Sequence, residues 1–228
     1  MARPFENQPR LSIPFPSPDE LRGALAGASQ SERGTFARLW LSEGFPAAFC
    51  ECPAVYEHLR DWLGRCLKVH PKEITLIGSA RIGYSLAPVP DFGRPFNDKA
   101  DLDLSVISNS LFDRLASTFS AFANDCMTGV VVPRNAREET FWNGNLAFGD
   151  RNIPRGFFDA NKIPNFERYP VVQQVNQAMW AVKVKRVRLL CDDSPRVRSV
   201  GHLTRLRWHR RVDLGLGWWR TRGIRPAA

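Results

Sequence analysis

Apolar positions recur with helical and strand periods through the middle of the chain, and these periods predict its elements. Pro53 opens the clearest one. Val55, Leu59, Trp62, Leu63 and Leu67 fall at i, i+4, i+7, i+8 and i+12, one stripe along a helix that His70-Pro71 ends. Glu73 to Ile77 is a short β-branched run that predicts a buried strand, stopped by Gly78-Ser79. Residues 85–99 hold Pro88, Pro90, Gly93 and Pro95 and predict a loop. Residues 100–107 then alternate, with Asp101, Asp103 and Ser105 on one face and Leu102, Leu104 and Val106 on the other, a second strand. Leu111, Leu115, Phe119 and Phe122 predict a helix over 111–122, and 171–184 is helical in pattern.

Elsewhere the pattern is weaker. Ser17-Pro18-Asp19-Glu20 is a helix-start signal that predicts a helix over 19–27. Phe36, Leu39 and Trp40 predict a helix over 31–42, which Gly44-Phe45-Pro46 breaks. Gly129 to Val132 suggests a third strand or the approach to one. Residues 133–170, rich in Asn, Gly, Pro and aromatics, show no clear period. Residues 1–18 carry five prolines, at 4, 9, 14, 16 and 18, and predict an extended arm.

Composition narrows the class. The chain of 228 residues is 43% hydrophobic and 24% charged, which argues against wholesale disorder, collagen-like repeats and a coiled coil. No apolar run is long enough to span a membrane, and the first residues lack an apolar signal core, so a cytoplasmic protein is expected. The five cysteines are odd in number. Cys50-Glu51-Cys52 has no matching pair, and reduced thiols are expected rather than a zinc site.

Charge changes the picture more. The net charge is +9, yet residues 183–228 hold 13 basic and 3 acidic residues, a net of +10, and residues 1–182 come to −1. The expected organisation is therefore an arm over 1–18, a domain over 19–185 and a basic Arg/Trp-rich stretch over 186–228. That stretch is suited to binding nucleic acid through phosphate contact and stacking, or an acidic membrane surface. The same composition is what a shifted reading frame in a GC-rich gene yields, and both readings stand.

The candidate chemistry lies in the neutral part. Gly78-Ser79-Ala80-Arg81 follows the first strand directly, and Asp101-Leu102-Asp103 lies in the second. Two carboxylates at i and i+2 share one strand face, repel each other and call for a countercharge. Oxygen ligands suit Mg²⁺ (or Mn²⁺), with substrate phosphates completing the shell. A Gly-Ser turn lets the backbone approach an anion closely.

Strand, Gly-Ser, short helix, then a strand with Asp-x-Asp resembles the DNA polymerase β-like nucleotidyltransferase superfamily over about residues 73–108. Stand-alone bacterial or anti-phage members are the branches it suggests. The resemblance implies an α+β nucleotidyltransferase fold, a mixed sheet flanked by helices after an N-terminal helical segment. It implies that Gly78 and Ser79 bind the triphosphate and that Asp101 and Asp103 hold metal, with a third carboxylate on a later strand. Asp159 is the preferred third acid, with Asp150, Glu138 and Glu139 as the others. Arg81 is the nearest cation for a phosphate, followed by Lys99, Arg151, Arg155 and Lys162. Tyr84, Phe92, Phe96 and Trp142 are candidates for stacking on a base, though each also suits a core. The chain departs from the family in two ways. The step from Ser79 to Asp101 is longer than usual, which makes the Pro-rich stretch an insertion over the site, and Ala100 replaces a small hydroxyl residue. The implied activity is transfer of a nucleoside monophosphate from a nucleoside triphosphate such as ATP to a hydroxyl acceptor, with pyrophosphate release. The alternatives are a non-catalytic nucleotide- or partner-binding module, or a nucleic-acid binder acting through the basic stretch.

Overall fold

The computed structural model describes residues 15–97, 100, 102–184 and, as backbone, 205–209. The proline-rich start, Asp98, Lys99, Asp101 and most of the basic stretch lie outside the described residues.

Capping sets the N-terminal segment. Ser17 and Ser29 each accept a hydrogen bond from the amide three residues on, and Glu20 and Glu32 each accept one from the cap amide, so α1 (Pro18–Ala26) and α2 (Gln30–Phe36) both start on a capping box. The helix expected over 31–42 continues as a wider π-helical turn, Ala37–Ser42, in which the Glu43 amide donates to the Arg38 carbonyl at 2.7 Å. The apolar stripe read after Pro53 is α3 (Pro53–Leu67), which buries Leu59, Leu63 and Leu67.

β1 (Ile74–Ile77) leads into the single-turn α4 (Ser79–Ile82) and, after the loop, β2 (Asp103–Ile107). β1 and β2 pair antiparallel, with Ile74 opposite Val106 and Ile77 opposite Asp103. Leu76, Leu104 and Val106 are fully buried on the face that α3, α5 (Asn109–Met127) and α7 (Pro170–Val184) cover. α5 extends past the expected 111–122 at both ends, and its Phe119 and Phe122 stack edge-on with Phe158, Trp142 and Tyr169 in the same core.

Gly129 to Val132 is a turn and not a strand. Gly129, at φ +73°, closes α5, and the Val131 amide donates back to the Asp125 carbonyl at 3.1 Å. The stretch without clear period contains α6 (Ala136–Asn152), started by the Asn135 side chain, then β3 (Phe157–Asp159). The backbone of β4 (Arg205–His209) lies between β2 and β3, parallel to the first and antiparallel to the second, giving the order β1-β2-β4-β3. The fold is thus α+β and mostly helical, with a small sheet.

Candidate functional site

The register of β1 and β2 decides what meets at the Gly-Ser turn. Ile77 stands opposite Asp103, so the chain leaves β1 beside the Asp103 side chain. Gly78 turns there with φ +73° and ψ −152°, a conformation close to glycine-only. A Cβ at this position would lie 2.8 Å from Asp103 Oδ2. The glycine is therefore required twice, by its backbone angles and by the carboxylate against it. Ser79, half-buried, begins α4, and the Gly83 amide donates to its carbonyl at 2.8 Å. Gly78, Ser79 and Asp103 are brought together. Asp101 lies outside the described residues.

Arg81 has a role that the motif did not suggest. Its side chain is 2% exposed, and its guanidinium donates to three main-chain carbonyls: Leu39 at 2.9 Å, Glu43 and Phe45. Burial pushes its pKa below the usual arginine value. Gly44 passes so close that a Cβ there would come 3.0 Å from Arg81 Nη2. Arg81 is a clamp joining α4 to the π-helical turn and the segment after it.

The acids separate by element. Asp150, Glu138 and Glu139 lie on α6, where Glu138 accepts from the Arg134 amide at 2.7 Å. Asp159 lies on β3 and its Oδ1 accepts from the Asn161 amide at 3.1 Å, closing the turn after the strand. Backbone register puts Asp159 in line with position 207 and hence with Ser105, on the pleat face that Asp103 shares. One strand intervenes and the offset along the strands is two residues, which sets Asp103 and Asp159 about 12 Å apart at Cα. Phe158, one residue away from Asp159, is fully buried on the opposite face.

The remaining cation and ring candidates disperse. Arg151 Nε donates to the Ala147 carbonyl at 2.9 Å, Lys162 sits 5.0 Å over the Phe148 ring, and Arg155 is exposed. Lys99 lies outside the described residues. Trp142 is buried against Phe122 and Phe166. The Pro-rich loop is not free over the turn. The Ser85 amide donates to the Arg94 carbonyl at 2.8 Å and the Gly93 amide donates to the Ser85 carbonyl at 2.9 Å, and the loop lies against the N-terminal helices. Tyr84 and Leu86 join a second core with Leu21, Phe36 and Trp40, Phe92 packs against it, and Arg22 lies 4.8 Å over the Phe92 ring.

Among the described residues no three of His, Cys, Asp and Glu cluster as a metal site. No described helix is long and apolar enough to cross a membrane. No family model, curated protein or solved structure matches the chain.

Proposed function

We propose that the chain is a divalent-metal-dependent nucleotidyltransferase of the DNA polymerase β-like type. The observation that carries this reading is the contact of the Gly78 backbone with the Asp103 carboxylate across the β1–β2 register. It supports a site in which a phosphate-binding turn and a metal-binding acid share one end of a strand pair, as the sequence motif implies. The donor set fits the group: a hard oxygen ligand beside a cradle that any side chain at position 78 would fill.

Asp101 and Asp103 would hold Mg²⁺ or Mn²⁺, which supplies charge neutralisation for the transferring phosphoryl group. Gly78 and Ser79 would receive the triphosphate. An acceptor hydroxyl then attacks the α-phosphate in line, the bond to the β-phosphate oxygen breaks, and pyrophosphate leaves. Asp159 is the third acid in this reading. It shares a pleat face with Asp103 across one intervening strand, and it would assist the acceptor hydroxyl there. Arg81 is left out of the phosphate set, since main-chain carbonyls occupy its guanidinium.

One observation favours the non-catalytic reading: the Asp159 carboxylate already accepts a turn amide. A nucleotide-binding module would keep the turn and Asp103 without that acid acting in chemistry. The experiment is pyrophosphate release by purified protein with Mg²⁺ and mixed triphosphates. Release that disappears in Asp101→Ala with Asp103→Ala supports transfer, and unchanged turnover in that double variant overturns it. Saturable nucleotide binding with no release from the wild type supports the module. The nucleic-acid reading rests on residues largely outside those described. It predicts binding that falls steeply with salt and is lost on deletion after residue 185.

A further inference from the structure

The backbone of β4 enters the sheet between the two strands that carry Asp103 and Asp159. It runs parallel to β2, so Arg205 begins the strand at the end where the chain turns through Gly78. The register sets Arg205 beside Asp103, and Arg207 between Ser105 and Asp159. Neighbouring strands stand about 4.8 Å apart, so each acid has an arginine position as a lateral neighbour.

The parity of β4 matches the strands on both sides. Leu206 is in register with Leu104, and Trp208 with Val106 and Phe158, and these three partners are buried. Arg205, Arg207 and His209 alternate with them, on the pleat face of Asp103, Ser105 and Asp159. The run Arg-Leu-Arg-Trp-His thus suits a central strand with one apolar and one polar face. Over residues 205–209 the basic stretch belongs to the sheet.

Two further observations point to a ligand on this face. Arg81, the cation closest in sequence to the Gly-Ser turn, is committed to main-chain carbonyls, so a phosphate at Gly78 and Ser79 needs another countercharge. Ser105 is fully buried, and its hydroxyl has no hydrogen-bond partner among the described residues. A buried hydroxyl left open is costly, and a ligand oxygen in its row would satisfy it. The two arginine positions balance two acids only while no metal is bound. With Mg²⁺ on the aspartates the face becomes positive and favours a polyanion.

We propose that β4 is the cationic strand of the site: Arg205 and Arg207 bind the polyphosphate chain of the substrate, in the role that the sequence motif gives to Arg81. The proposal rests on the nucleotidyltransferase reading and names the groups that hold its triphosphate.

The test is a titration of the full chain with inorganic tripolyphosphate, without metal, followed through the backbone amide shifts of Ser79 and Leu104. The expected result is saturable shifts there, with affinity falling roughly tenfold in Arg205→Gln and in Arg207→Gln. Asp103→Ala should not weaken this metal-free binding, because it removes a repelling charge. Arg205→Lys keeps the charge within the strand and should retain binding, whereas a loss equal to that of Arg205→Gln would mean a packing role and overturn the proposal. Arg210→Gln removes the same charge just past the strand and should change nothing. An equal loss in Arg210→Gln, full affinity in both glutamine variants, or no saturable shift in the wild type would also overturn it. Pyrophosphate release from nucleoside triphosphates separates the two levels. Release that is lost in Asp103→Ala and intact in Arg205→Gln with Arg207→Gln would overturn the role of β4 alone. Release absent from the wild type would overturn the parent reading, while the tripolyphosphate shifts would still report on the strand.

Discussion

Replacing Gly78 by Ala tests the closest contact of the candidate site. Two separate terms act. The backbone term comes from φ +73° and ψ −152°, a region that L residues rarely adopt, and is worth about 1–3 kcal/mol. The steric term comes from the new methyl at 2.8 Å from Asp103 Oδ2. The carboxylate relieves it by swinging out of its rotamer, at about 1 kcal/mol. The single variant should therefore lose about 2–4 kcal/mol. In an Asp103→Ala background the oxygen is gone and the remaining Cβ stands at 3.5 Å, an ordinary contact. Only the backbone term then survives, so the double-mutant cycle should show a coupling of about 1 kcal/mol, above the ~0.3–0.5 kcal/mol scatter of independent sites. Urea unfolding followed by tryptophan fluorescence measures all four proteins, with equal m-values as the check that the two-state treatment holds. Equal losses in both backgrounds would refute the contact, and with it the convergence of Gly78 and Asp103.

Other perturbations test the frame around the site. Gly149→Ala should destabilise by about 1–3 kcal/mol although alanine favours a helix, because its Cβ would lie 2.0 Å from Phe119 Cζ; a thermal melt that rises would contradict the packing of α6. Arg81→Met should lose about 2–3 kcal/mol by leaving three part-buried carbonyls without their donor, read as a lowered urea midpoint. Burial raises the Tyr84 pKa. The unfolded chain therefore releases this proton first, and stability should fall as pH rises beyond the ordinary tyrosine range near 10. Tyr84→Phe should flatten that alkaline limb. At neutral pH it should leave stability nearly unchanged, since the buried hydroxyl has no partner. A limb of undiminished slope in chemical denaturation at pH 8 to 11 would refute the assignment.

The elements that carry a clean period were legible in the sequence. The α3 stripe, the β1 run and the alternation in β2 each follow from side chains that one buried surface selects. α6 was not legible, because Gly144 and Gly149 interrupt its pattern. The reason for Gly149 is the Phe119 ring, 30 positions earlier, which no local rule contains.

The candidate site divides in the same way. Gly78-Ser79 and the Asp-x-Asp run were visible because their residue types are unusual at a strand end. Arg81 beside them looked like a phosphate ligand, and its true acceptors are main-chain carbonyls, which have no sequence signature. Asp150 and Asp159 both follow aromatic and glycine residues, and only the folded chain puts one on a helix and the other on a strand. The sequence by itself determined the local elements and the residue chemistry, since these depend on neighbours within a few positions. The pairing of Ile77 with Asp103 and the clamp on Arg81 were decided only by tertiary structure, because each joins segments whose separation along the chain leaves no periodic trace.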